Sequence, residues 1–161
     1  MLYLLDANVF IRANEDYYPI ERVPQFWDWL LAQAIAGSVK TPMEILDEVH
    51  ATGEFGRWMA QKEVHEALAL DEEVDRDIFN QVLNSAYAPD LNDTELEEIG
   101  RDPFLPAYAL MGSDRTVVTK ETSKPSKTRG RRKVPDACAI MSVRWITDFA
   151  FYRELDFRIR P

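Results

Sequence analysis

The sequence predicts an α/β fold: a three-layer α/β/α sandwich around a central, mostly parallel, twisted sheet. A short apolar run, residues 2–5, and the β-branched pair Val117-Val118 within residues 115–119 fit strands buried in a sheet. Around them lie stretches whose apolar residues recur at helical spacing. Strands that alternate with helices pair in parallel, because a parallel pair needs a crossover and a helix supplies it. The 161 residues, 46% of them hydrophobic, suffice for one core, so residues 1–161 are expected to form a single domain.

Residues 2–5 read as the first, central strand, ended by Asp6. Asp6 stands where it can cap a helix over Asn8, Val9, Phe10 and Ile11, broken by Asp16-Tyr17-Tyr18-Pro19. Val23-Pro24 opens a second helix, with Phe26, Trp27, Leu30, Leu31, Ala34 and Ile35 on one face and Gly37 as its stop. Residues 38–41 fit a short strand. Thr41-Pro42-Met43-Glu44 has the order of a capping box, and a helix through Val49 is expected after it. Residues 54–87 read as helical, with Asp71 as an internal N-cap; residues 92–99 form a short acidic helix.

Arg101-Asp102-Pro103 starts another helix, with Phe104, Leu105, Ala107, Tyr108, Leu110 and Met111 in the core and Gly112 at its end. Val117-Val118 belongs to the next strand, and the basic stretch after it has turn composition. Pro135 opens a long helix through Ile146, and the apolar positions from Phe149 to Ile159 allow one or two terminal strands.

Net charge is −9, from 28 acids against 19 Lys and Arg, which by itself weighs against a polyanionic partner. The average hides a local reversal. Residues 120–133 hold seven basic side chains (Lys120, Lys124, Lys127, Arg129, Arg131, Arg132, Lys133) against the single acid Glu121, a balance of +6 that leaves −15 elsewhere. Such a ribbon attracts phosphate locally, while the acidic body suits a basic protein partner. A lone cysteine, Cys138, excludes an internal disulfide and points to a reducing, cytoplasmic setting. The opening residues lack a basic leader region, and no apolar run approaches the roughly 20 residues a bilayer needs, so neither export nor a membrane is expected.

Parallel sheets bind ligands beyond the carboxyl ends of their strands, which draws attention to the acids there. Asp6 ends the first strand, Glu48 follows the second, Asp102 precedes the third and Glu121 lies just past it. Carboxylates crowded together raise one another's pKa and stay ionised only beside a cation. With oxygen donors and no His/Cys cluster, that cation is Mg²⁺ or Mn²⁺ rather than zinc, and the chemistry is phosphodiester hydrolysis. Each acid also has a plain structural reading. Asp6 and Asp102 stand at helix starts, Glu44 is explained by the capping box, and Asp136 suits the positive end of the helix after Pro135 while serving as a reserve ligand. Glu48 lies nearer than Glu44 to the stripe of Ile45, Leu46 and Val49, so it can tilt inward. Asn8 can orient a water or bond its own turn. His50 and His65 match no metal spacing, and Cys138 in an apolar helix reads as a buried thiol.

Taken together, residues 3–11 (YLLDANVFI), Glu48-Val49, Asp102 leading into Ala107-Tyr108-Ala109, and Val117-Val118-Thr119 with Glu121 resemble a PIN domain, and more narrowly a VapC-type toxin ribonuclease. The resemblance spans most of the chain and implies a Mg²⁺- or Mn²⁺-dependent endoribonuclease. It makes Asp6, Glu48, Asp102 and Glu121 the catalytic, metal-holding acids, with Asn8, Thr119 and Asp136 in support. It also implies an antitoxin protein over the acidic cleft and a possible homodimer. Many PIN domains carry Asp where this chain has the longer Glu121 after Lys120. Lys120, Lys124, Lys127, Arg129, Arg131 and Arg132 are the expected RNA-backbone contacts.

Two other readings compete. A haloacid-dehalogenase-like phosphatase also begins with a strand ending in a nucleophilic Asp and later uses a Thr and a Lys, which Asp6 and Thr119-Lys120 supply. That fold wants a second Asp two residues on, where Asn8 stands. A catalytically inert PIN-like binding protein is the other, and the presence of all four acids weighs against it.

Overall fold

The computed structural model describes residues 1–160. Its centre is a four-stranded, all-parallel sheet in the order β2-β1-β3-β4, formed by β1 (Leu2–Leu5), β2 (Val39–Lys40), β3 (Arg115–Val118) and β4 (Arg144–Ile146). The expected α/β sandwich is the observed one. Tyr3 pairs with Val39, Leu5 with Val118, and Val118 with Ile146. From β1 the chain crosses first to β2 on one side and then to β3 on the other, so the strand order reverses between β1 and β3. A crevice opens at such a reversal.

Successive side chains of a strand face opposite sides, and both sides here are covered by helices. Tyr3, Leu5 and Val118 enter a core with Phe10 of α1 (Ala7–Arg12), Trp27 and Leu30 of α2 (Pro24–Ile35), Val64 and Leu68 of α5 (Lys62–Leu68) and Phe151 of α10 (Asp148–Glu154). Trp58 of α4 (Gly53–Ala60) joins them. Leu4 and Val117 face the other way, against Ile45 of α3 (Met43–Leu46), Leu105 and Tyr108 of α8 (Phe104–Leu110), and Val134 and Cys138 of α9 (Val134–Ile140). A third cluster ties α6 (Arg76–Val82) and α7 (Asp93–Ile99) to these helices through Val82, Ala86, Tyr87 and Ile99.

Several elements differ from the expectation. The capping box at Thr41 does not form: Thr41 N donates to Leu68 O, Leu70 N donates to Thr41 O, and the residue is held in a strand-like bridge. Glu44 instead accepts the Tyr108 hydroxyl at 3.0 Å. The helix after Pro42 ends at Leu46, short of Glu48. The long helical stretch breaks after Leu68 and resumes at Arg76, where Asp75, not Asp71, caps by accepting from the Asp77 and Ile78 amides. The helix after Pro135 stops at Ile140, leaving Arg144–Ile146 to form β4. The expected terminal strands are α10, whose start is capped by the Thr147 hydroxyl. Leu110, expected in the core, is 37% exposed. Among the described residues no helix is long and apolar enough to cross a membrane.

Candidate functional site

Asp6 is the first residue past β1. Its amide continues the ladder by donating to Val118 O at 2.9 Å, and its side chain, 5% exposed, points over the strand ends. Asp6 occupies the N-cap position of α1 but caps nothing. Its Oδ2 instead accepts from the Thr119 hydroxyl at 2.8 Å and from Asn8 Nδ2 at 2.8 Å. Thr119, fully buried at the end of β3, accepts in turn from Asn8 Nδ2 and from the Glu121 amide, each at 3.2 Å. Asn8 Oδ1 accepts from the Lys120 amide at 3.0 Å. Asn8 therefore ties the turn after β1 to the turn after β3, a role its position two residues past Asp6 left open.

Glu121 is held at the start of α9, where its Oε2 accepts the Val134 amide at 2.9 Å. Asp102 sits in the turn between α7 and α8. The expected side-chain cap is absent, because Pro103 occupies the cap position, and Asp102 contributes its carbonyl, which accepts from the Leu105 amide. That leaves the carboxyl to face the other acids. Glu48 lies in the turn beyond α3, so its placement comes from that turn and not from a helix face.

The four acids sense one another. Burial, and after it the charges of Glu121 and Glu48, push the Asp6 carboxyl up to about 6 against the pull of the Thr119 hydrogen bond. Burial, then Asp6, Glu121 and Glu48, push Asp102 up to about 8, with Lys133 opposing. Burial raises Glu48, countered by Arg101 and His50. Crowded carboxylates of this kind are stabilised by a bound cation. As they stand, no three or more His, Cys, Asp or Glu side chains among the described residues close tightly enough to hold a metal. The donor set is nonetheless all oxygen and anionic, which fits a hard Mg²⁺ or Mn²⁺ better than zinc.

Asp136 stands apart. It is 8% exposed, and both its oxygens are engaged: Oδ1 accepts from Ser123 Oγ at 2.5 Å and Oδ2 from the Lys124 amide at 2.8 Å. Its structural work is to pin the basic loop. Arg129 pins the same loop on the other side, donating to Asp90 and to Glu95 of α7. Between them Gly130 lies so close to α7 that a β-carbon there would sit 3.0 Å from Glu95 Cβ. Arg129 is thus committed to carboxylates, while Lys127, Arg131, Arg132 and Lys133 line a cavity of about 460 Å³ together with Glu98, Asp102 and Glu121. The Nε of Arg132 is buried without a hydrogen-bond partner among the described residues. Lys120 and Lys124 are exposed and line no part of that cavity.

Tyr87 was not singled out from the sequence. It ends the π-helical turn Leu83–Tyr87, is 5% exposed, and its hydroxyl has no partner among the described residues. Burial raises its pKa, and Asp102, Cys138, Glu121 and Asp6 add to the rise. Cys138 is buried, as expected, and burial and Asp6 raise its thiol.

No curated protein and no solved structure matches the chain. A family model described as a domain of unknown function (DUF4411) matches residues 3–159, nearly the whole sequence, and on that match the chain belongs to the DUF4411 family.

Proposed function

We propose that the protein is a divalent-metal-dependent endoribonuclease, acting as the toxin of a toxin–antitoxin pair in the cytoplasm. The observation that carries this reading is the meeting of Asp6, Glu48, Asp102 and Glu121, from four separate segments, beside a wall of cations. An anionic centre flanked by Lys127, Arg131, Arg132 and Lys133 suits a substrate whose charge lies next to the bond to be cut, as in RNA.

In this reading Asp6, Asp102, Glu121 and Glu48 hold one or two Mg²⁺ or Mn²⁺ ions. The ion supplies Lewis-acid polarisation of water and phosphate oxygens. Thr119 and Asn8 hold the Asp6 carboxylate in one rotamer and fix the turn that carries Glu121. The cationic wall grips the backbone and discriminates little between bases. The acidic body, with its charge of −15 outside the basic loop, is the surface offered to an antitoxin.

The test is cleavage of single-stranded RNA with Mg²⁺ or Mn²⁺, with and without chelator, for the wild type and for Asp6→Asn and Asp102→Asn. Loss of cleavage in both variants, with circular dichroism unchanged, supports the assignment. Full activity of Asp6→Asn overturns it, and a trapped aspartyl-phosphate on Asp6 favours the phosphatase instead.

A further inference from the structure

Glu48 has two sides. On one its charge is felt by Asp6 and Asp102. The other forms part of a second cavity, of about 280 Å³, whose walls include Ile11, Asn14, Glu15, His50, Thr52 and Phe55. The two cavities therefore flank the acidic centre, one sharing Asp102 and Glu121 with it and the other sharing Glu48.

They are opposite in character. The first carries four cations. Among the described residues, the second is lined by no Lys or Arg and by two carboxylates, Glu15 and Glu48. A phosphate entering it would meet like charge and lose hydration without gaining a partner. An uncharged, planar, hydrogen-bonding group meets no such penalty. Ile11 and Phe55 offer apolar contact for its faces, and Asn14, Glu15 and His50 offer polar atoms for its edge. The volume is near the lower end for small-molecule sites, enough for one base and too small for a base pair.

The cavity is also built continuously with the acidic centre. Asn8, Ile11 and Glu15 follow at helical spacing, so one line of side chains runs from the Asp6 turn to the cavity wall. At Ala13 the helix widens into a π-helical turn through Tyr17, a local distortion that recurs at functional positions and here carries Asn14 and Glu15. Asn14 Oδ1 accepts the Ile20 amide at 3.1 Å, which orients the side chain with its Nδ2 as the group to offer.

Building on the ribonuclease reading, we propose that this second cavity receives one unpaired base of the RNA, next to the phosphate at the acidic centre, and selects guanine. The Watson–Crick edge of guanine presents two adjacent N–H donors and a carbonyl acceptor. A carboxylate, Glu15, accepts from paired donors, and the Asn14 amide donates to the carbonyl. Adenine, cytosine and uracil each place an acceptor where Glu15 requires a donor. The strand then crosses the site with its backbone along the cationic wall and one base turned into the opposite cavity.

The test uses Asp6→Asn protein with Mg²⁺, so that RNA binds without being cut. Its ligands are a short oligouridylate and versions in which every third uridine is replaced by guanosine, adenosine or cytidine. Fluorescence anisotropy is expected to give roughly tenfold tighter binding for the guanosine version. In the same background Glu15→Gln and Thr52→Tyr, the latter filling the cavity from an exposed position whose side chain caps no helix, are expected to abolish that preference. The dependence of affinity on salt should stay as it was, because the phosphate contacts lie in the other cavity. Binding of all four RNAs with equal affinity, or a guanosine preference that survives both substitutions, overturns the proposed base site and leaves the ribonuclease reading standing. Failure to bind any of the RNAs overturns both.

Discussion

The Thr119 hydroxyl donates to Asp6 Oδ2 at 2.8 Å, joining the residues that follow the two central strands, β1 and β3. Thr119 Oγ1 itself accepts from Asn8 Nδ2 and from the Glu121 amide. Thr119→Val keeps the shape and removes all three bonds. Because Asp6 is buried and keeps only its bond from Asn8, the loss is expected to cost about 1–3 kcal/mol, measured by urea unfolding at neutral pH. A variant as stable as the wild type would show that the hydrogen bond contributes nothing.

Stability should depend on pH in the direction set by Asp6 and Asp102. Both carboxyls have folded-state values above the ordinary one, about 6 and about 8, so the folded state binds protons more tightly than the unfolded chain. Their contribution is complete below the unfolded value, near pH 4, and is lost as pH rises through the folded values. Without metal, Asp6 alone costs on the order of 3 kcal/mol once the pH is well above 6. The near-isosteric Asp6→Asn should therefore gain on the wild type between pH 5 and pH 9, read as the difference of their Tm values in chelator. Mg²⁺ or Mn²⁺ should close that gap at high pH by stabilising the ionised wild type. A pH-independent difference would refute the electrostatic account.

Tyr87 carries a buried hydroxyl that no group among the described residues satisfies, and the charges of Asp102, Glu121 and Asp6 add to the burial that raises its pKa. Tyr87→Phe removes a desolvated polar atom, so stability should hold or rise by about 1 kcal/mol. If the hydroxyl serves the reaction, RNA cleavage should slow by roughly tenfold to a hundredfold in the same protein. Unchanged cleavage would assign Tyr87 to packing alone.

Arg129 is the clasp of the basic loop. Arg129→Ala removes its bonds to Asp90 and Glu95, all three side chains being at least partly exposed, so global stability should change little. The loop itself should open. Faster tryptic cleavage after Lys127, with the urea midpoint nearly unchanged, is the expected result. Equal cleavage rates would mean that Asp136 holds the loop unaided.

The strands that position the site were legible because their signal is strongest where burial is complete. Leu2–Leu5 and Arg115–Val118 lie at the centre of the sheet, the first apolar or aromatic throughout and the second marked by its buried β-branched pair Val117-Val118. The edge strand β4 falls inside the helix expected after Pro135: Arg144 is exposed, Trp145 and Ile146 are only partly buried, and the turn before them uses Ser142, at φ 57°, where a glycine would announce the break. The apolar positions from Phe149 suggested strands, although Thr147 carried a cap signal and the buried residues, Phe151 and Tyr152, are adjacent. At Thr41 a local capping pattern was overruled by pairing with Ala69, which no nearby residue encodes. Asp6, Asn8, Thr119 and Glu121 stood out by their places after strands. Their mutual hydrogen bonds, the pinning role of Asp136 and the approach of Tyr87 arise from chain crossings that local pattern does not contain.

Because all four strands run the same way, everything chemical described above collects on one rim, and the opposite rim is left to plain connections. That far edge is where Gly37 ends α2, where the amino terminus pairs with Asp114, and where Ser142 turns the chain into β4. Additions there lengthen connections whose entropic cost grows only slowly with length, and they do not move the carboxyl ends of the strands. The molecule thus separates the margin where evolution or an engineer can attach new segments from the margin where a displaced atom would be felt.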